Sequence, residues 1–253
     1  MITPYVGELA LYAYQVLPPN WAACDGSVLP ISPSLPPLFE TINYAWGGQG
    51  PILKLPDYRP ICPPNMQYCI ATIGTMPGAP GRPVTAGEVS LLPFSTPAPW
   101  LKCDGKLYHK ADFSALFQVI GNTFGGSDPT FAVPNLIGTA PPYPPTQPNT
   151  PLYCISTSGE TLPTPYLGEV RLFPFASAPS GWMVCNGKTL PIMTNQGLFS
   201  LLGTNFGGDA RTTFGLPNLS RAVVPHGLQY FIAVNGTYPI PTPTGAVKKP
   251  GRK

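Results

Sequence analysis

Three sets of residues in this chain carry side chains that could do chemistry. A glutamate recurs directly after a glycine at Glu8, Glu88 and Glu169; cysteines stand at 24, 62, 69, 103, 154 and 185; and the histidines are His109 and His226. General acid and base work needs two carboxylates held in different environments, or a histidine oriented by one. No second carboxylate stands beside the recurring glutamate in the sequence, so it reads as an ion-pair or hydrogen-bond partner specific to the fold. The histidines fall at unrelated positions, and neither has cysteines or carboxylates at metal-ligand spacing. No catalytic residue, no metal ligand and no cofactor is therefore expected.

The cysteines admit two readings. Cys24 and Cys103 follow a tryptophan, and Cys69 and Cys154 lie in a later apolar segment, so Cys24 with Cys69 and Cys103 with Cys154 are candidate disulfides if the protein matures outside a reducing cytosol. The other reading is buried thiols acting as small hydrophobes. The third copy keeps Cys185 but has Phe231 at the partner position, so a bridge is not obligatory for the fold. Cys62 has no counterpart. The double glycines at 47–48, 125–126 and 207–208 lack the Gly-Lys-Ser/Thr context of a phosphate loop, and they follow a helix where such a loop precedes one.

These residues recur because the chain repeats itself. Gly7-Glu8-Leu9, Gly87-Glu88-Val89 and Gly168-Glu169-Val170 each open a block with a period of about 80 residues, longer than most solenoid units. Each block continues with a tryptophan, a cysteine and a turn: Trp21 with Cys24-Asp25-Gly26, Trp100 with Cys103-Asp104-Gly105, and Trp182 with Cys185-Asn186-Gly187. A Leu-Phe pair, an aromatic-Gly-Gly step and a Pro-Asp/Asn step follow in register. Turn formers and core aromatics recur, which describes a building block more than a catalyst.

Each block reads as an extended opening strand, half-buried by its alternation of large apolar residues with others, then a turn, and a second strand led by the tryptophan and ended by Asp-Gly or Asn-Gly, together a β-hairpin. A helix of two to three turns follows, with Leu38, Leu116 and Leu198 on its buried face. Ser34, Asp112 and Thr194 stand at or near its N-cap, and Asn43, Gly121 and Gly203 at its end. A Gly-Gly loop and a closing strand around Tyr68, Tyr153 or Tyr230 complete the unit. The fold class is α+β, in three tandem small repeats joined by Pro-rich linkers. Repeat one covers 1–73, a linker 74–86, repeat two 87–156, a linker 157–166, repeat three 167–235, and a Pro-rich basic tail 236–253.

Composition limits the partners. Charged residues make up 10% of the 253 and the formal net charge is +3, too small and scattered for a nucleic-acid binder. Lys248, Lys249, Arg252 and Lys253 read as a solvated tail. No apolar run reaches membrane-spanning length, so no transmembrane helix is expected, and with the first repeat opening almost at Met1 no cleavable leader is expected either. With 37 Pro and 27 Gly, the chain favours short strands and defined loops.

The run from Gly168-Glu169-Val170 through Gly181-Trp182, Cys185-Asn186-Gly187, Leu198-Phe199, Phe206-Gly207-Gly208-Asp209 and Leu216-Pro217-Asn218 resembles the phage tail collar domain, a family that also includes bacterial proteins termed microcystin-dependent. The third copy resembles it best and the first least. The resemblance implies a non-enzymatic structural role in a virion, as a tail fibre, collar or tail-tip protein, often as trimers. It implies partners among other tail or fibre proteins and, at the particle surface, a host glycan or receptor. A bacterial extracellular or cell-surface assembly protein built from the same module is the alternative.

Trp21, Trp100 and Trp182 are expected in three equivalent cores against Leu38, Leu116 and Leu198, and the repeated tyrosines read as core packing before any sugar platform. Copy-specific features are the better recognition candidates: Trp46, Tyr143 with its proline-rich loop, and the start of the second helix from His109 to Asp112. Linkers of about a dozen residues span at most ~40 Å. The three copies of one chain are thus expected to close into a compact pseudo-trimer.

Overall fold

The computed structural model describes residues 3–31, 36–76, 84–92, 99–138, 152–159, 164–175, 177–222 and 227–240. Repeat one contains β1 (Leu9–Tyr12), β2 (Trp21–Ala23), β3 (Val28–Pro30), α1 (Pro36–Ile42), β4 (Gly48–Gln49), β5 (Ile52–Lys54) and β6 (Gln67–Ala71). Repeat two contains β7 (Val89–Leu92), β8 (Trp100–Lys102), β9 (Leu107–His109), α2 (Ser114–Ile120), β10 (Thr130–Ala132) and β11 (Leu152–Ser156). Repeat three contains β12 (Glu169–Phe173), β13 (Trp182–Val184), β14 (Thr189–Pro191), α3 (Gln196–Leu202), β15 (Thr213–Gly215) and β16 (Gln229–Ala233). The chain is mostly sheet with short helices.

The expected hairpin between opening and tryptophan strands does not form. The closing strand lies between them, giving β2-β6-β1, β8-β11-β7 and β13-β16-β12, all antiparallel. The reason lies in the other edge of each opening strand, which is occupied by the opening strands of the other two repeats. Leu11 faces Val170, Leu172 faces Val89, and Leu91 faces Leu9. Counted from the glycine that opens each repeat, every one of these pairs joins the fourth residue of one repeat to the second residue of another. The register runs from repeat one to three, three to two, and two back to one. It is a closed, head-to-tail, pseudo-threefold arrangement made within one chain.

Closure corrects a second expectation. The opening strands read as half-buried, yet β7 and β12 are buried at every position, because both faces of the central sheet are covered. On one face lie the helices, with Leu38, Leu116 and Leu198 essentially inaccessible. On the other lie the tryptophans. Trp100 packs with Leu92 and Cys154, and Trp182 with Phe173 and Phe231, whereas Leu116 and Leu198 belong to clusters that contain neither. Side chains alternate along a strand, so Cys154 and Ile155 of β11 serve opposite faces. The expected contact between tryptophan and helix leucine is therefore absent from repeats two and three. Trp21 is half-buried, edge-on to Tyr12 at 5.7 Å.

The helices are seven residues long. Asp112 and Thr194 stand one residue before the N-caps, which are Phe113 and Asn195 and make no side-chain cap bond. Ser34 lies outside the described residues. The second glycine of each Gly-Gly step is required by close approach, since a Cβ on Gly48 would fall 2.3 Å from Ile52 O and one on Gly208 2.3 Å from Phe214 Cα. The Asp-Gly step is met by the Pro-Asp/Asn step through bridges Asp25 to Asp57, Asp104 to Asn135 and Asn186 to Asn218. Parallel bridges from Tyr5 to Thr75 and Tyr166 to Thr237 hold the beginnings of the first linker and of the tail onto the repeats.

Candidate functional site

Cyclic closure brings the three recurring glutamates together at the centre of the sheet. All are buried, at 5% exposure or less. One carboxylate oxygen of each accepts from the backbone three residues upstream: Tyr5 N to Glu8 at 3.0 Å, Thr85 N to Glu88 at 3.5 Å, and Tyr166 N to Glu169 at 3.0 Å. This ties the bend that precedes each opening strand. The third residue after the opening glycine is Ala10, Ser90 or Arg171 in the three copies, and the latter two donate to the other carboxylate oxygens. Ser90 Oγ donates to Glu8 Oε1 at 3.3 Å. Arg171 Nη1 donates to Glu88 Oε1 at 2.7 Å and its Nε to Glu169 Oε1 at 2.5 Å, so one guanidinium bridges two repeats.

The sequence reading set each glutamate apart from any second carboxylate. The fold overturns that separation, because residues roughly 80 positions apart meet at the axis. Arg171 was legible only as a lone charge in an apolar strand, at a position where the sister copies carry Ala and Ser. A cavity of about 40 Å³ adjoins the cluster, lined by Glu8, Ser90, Glu169 and Arg171 and by Tyr68, Tyr153 and Tyr230 from the closing strands. It has room for water, not for a substrate. The tyrosine hydroxyls meet one another there, and burial raises the pKa of all three. Arginine, carboxylates and tyrosines so arranged lock three strands together.

The cysteines are held as free thiols, not as the two candidate bridges. Cys103 faces the helix-side core and Cys154 the tryptophan-side core. Desolvation raises the thiol pKa of Cys24, Cys69, Cys103 and Cys185, and that of half-buried Cys62 to about 11. Trp46 is 8% exposed and belongs to the main core, so it is no recognition side chain. His109 and Asp112 are exposed beside the Lys110 to Asp128 ion pair of 3.0 Å. Tyr143, His226 and the basic residues 248–253 lie outside the described residues. No metal-binding group of His, Cys, Asp and Glu occurs among the described residues, and no described helix is long and apolar enough to cross a membrane.

Comparison with protein families returns one domain three times. The Phage Tail Collar Domain matches residues 7–63, 87–141 and 168–224, each match opening on the glycine that starts a repeat. The chain belongs to the phage tail collar family. No curated protein and no solved structure matches it. The collar copies coincide with the structural repeats from opening strand to the Pro-Asp/Asn step; the closing strands β6, β11 and β16, which join each copy into the common sheet, fall beyond the matched stretches. The matches mark the chain as a structural phage tail protein with tandem collar domains.

Proposed function

We propose that this chain is a non-enzymatic component of a virion tail, in a fibre, collar or tail tip, in which one polypeptide supplies the three-lobed shape that separate collar subunits would otherwise build. The observation that carries the reading is the closed register Leu11 to Val170, Leu172 to Val89 and Leu91 to Leu9. A pseudo-threefold body presents three similar faces and so suits a threefold tail or fibre partner. Fusion also frees the copies to differ. Arg171 can stand once near the axis, where a homotrimer would place three guanidiniums, and each copy can carry its own outer loops for contact with a host surface.

Antibody labelling of purified particles and scattering from the isolated chain test this together. Label at the tail and a compact monomer of 26.9 kDa are expected. Particles free of the chain would remove the virion role, and an elongated profile with three separated centres of mass would remove the closed shape.

A further inference from the structure

A cleft of about 440 Å³ opens on the first repeat, outside the axial cluster. One wall is the loop that starts with the single turn Arg59–Ile61 and bends at Asn65, φ 61. The other is the end of β2 with Asp25, and the floor includes Met66, Gln67 and Pro63. The loop is pinned at three points. Arg59 forks Asp57 through Nε at 2.9 Å and Nη2 at 2.6 Å, Asn65 Nδ2 donates to Asn205 O at 3.0 Å, and Gln15 Nε2 donates to Met66 O at 3.4 Å. Cys62, which no repeat motif explains, is one of its lining residues.

The lining selects a class of ligand. Asp25 and Arg59 are the charged residues that line it, and the fork from Asp57, outside the lining, neutralises Arg59, so Asp25 leaves a single excess negative charge that disfavours anions. Asp25 and the Gln15 side-chain oxygen offer acceptors. Gln67 offers an amide whose nitrogen is buried and has no protein partner, whereas its counterpart in the third repeat, Gln229, donates to Phe175 O at 3.4 Å. Gln67 lines the cleft, and the donors of its amide are not claimed by the protein. Met66 and Pro63 supply an apolar surface beside these polar groups. Convergent donors and acceptors over an apolar floor, uncharged ligand preferred, in a volume within the usual range of small-molecule sites, describe a sugar.

We propose that this cleft binds a neutral saccharide of one or two rings, held by Asp25, Gln15 and Gln67 over Met66 and Pro63. Its biological role as a contact for a host-surface glycan rests on the tail-component reading above; the binding itself does not. Saturation-transfer NMR and calorimetric titration of the full chain test it, against a panel of neutral mono- and disaccharides with glucuronate and inorganic phosphate as anionic controls. Transfer to and binding heat from at least one neutral sugar are expected, with no transfer to glucuronate and no binding heat from phosphate, and with affinity about tenfold weaker in Gln67→Leu. Leucine occupies the equivalent place in the second repeat as Leu152, and Asp25→Asn reproduces Asn186 of the third, so both variants keep residue types that the repeat already accommodates. No transfer from any neutral sugar, preference for phosphate, or binding unchanged in both variants overturns the proposal. A chain that labels tails yet binds no sugar removes this inference alone; sugar binding by a chain absent from particles removes only the virion role.

Discussion

Arg171 of the third repeat reaches across a seam to Glu88 of the second, 2.7 Å from Nη1 to Oε1, while its Nε holds Glu169 of its own repeat. Both ends of this bridge are buried, Glu88 completely. A guanidinium removed from such a site leaves buried carboxylates without their cation, and breaking a buried pair in this way costs about 3–5 kcal/mol. Arg171→Met is therefore expected to lose that much stability in urea denaturation. Adding Glu88→Gln should recover part of the loss, because it neutralises one of the stranded carboxylates. A single variant within ~0.5 kcal/mol of the parent would show that the bridge does not fasten the seam.

The tryptophans are not equivalent, and their truncation should grade accordingly. Trp182 stands edge-on to Phe173 at 5.3 Å and is 4% exposed, as is Trp100. Replacement of either by alanine should cost about 3–5 kcal/mol. Trp21, half-buried, should cost less. Acrylamide quenching of single-tryptophan variants reads the same order, with Trp21 quenched most.

What could be read from the sequence and what could not divide along one physical line. The recurrence of Leu38, Leu116 and Leu198 marked short helices, and these side chains are indeed buried in three equivalent helices, because helical periodicity is local. Strand pairing is not local. Apolar patterning gave no sign of which edge of β1 would take β6 and which would take β12, so the neighbour in sequence, β2, was the expected partner. For the same reason nothing local to β12 shows that Arg171 is buried, since it is closure that covers both faces of the strand. The axial cluster thus escaped a reading confined to single repeats, although the glutamates themselves stood out.

Burial of the thiols predicts an alkaline limit to stability. Desolvation raises the pKa of Cys62 to about 11 from the ordinary 9.0, and Cys24, Cys69, Cys103 and Cys185 are raised as well. A group whose pKa is higher in the folded state contributes fully below its unfolded value. That contribution falls as the unfolded chain releases the proton first. Stability should be flat with respect to these groups at neutral pH and decline from about pH 9 towards 11, by up to ~1.4 kcal/mol per pH unit for each buried thiol and by less for half-buried Cys62, which solvent screens. Melting temperatures from pH 7 to 10.5, compared with Cys62→Ser, measure the slope.

Thiol titration complements that profile. Six reactive groups are expected after denaturation without reductant, as all six cysteines are free. In the native protein Cys62 should react first, being the one cysteine that is not buried. Only two groups after denaturation would overturn the free-thiol state and support the pairs Cys24 with Cys69 and Cys103 with Cys154.

Closure finally makes the repeats interdependent, which separates this arrangement from three beads on a string. The main core contains Leu38 and Tyr68 of the first repeat together with Leu198 and Phe214 of the third, and Leu91 of the second. The core of the second repeat includes Leu172 and Leu228 of the third. Tyr14 lies so close to Gly168 that a Cβ there would fall 2.7 Å from its ring, and Phe175 stands in the same relation to Gly87 at 3.4 Å. Deleting the third repeat at residue 159 would expose all of these surfaces and leave the edges of β1 and β7 without β12. Repeats of this size have small cores and little stability of their own. Residues 1–159 should therefore lose near-UV circular dichroism and cooperative unfolding, while Gly168→Ala in the full chain, strained at φ 78 and crowded by Tyr14, should lower the single melting transition without splitting it. A truncated chain that unfolds cooperatively with an intact near-UV spectrum would mean that the repeats are self-sufficient and that the seams contribute little.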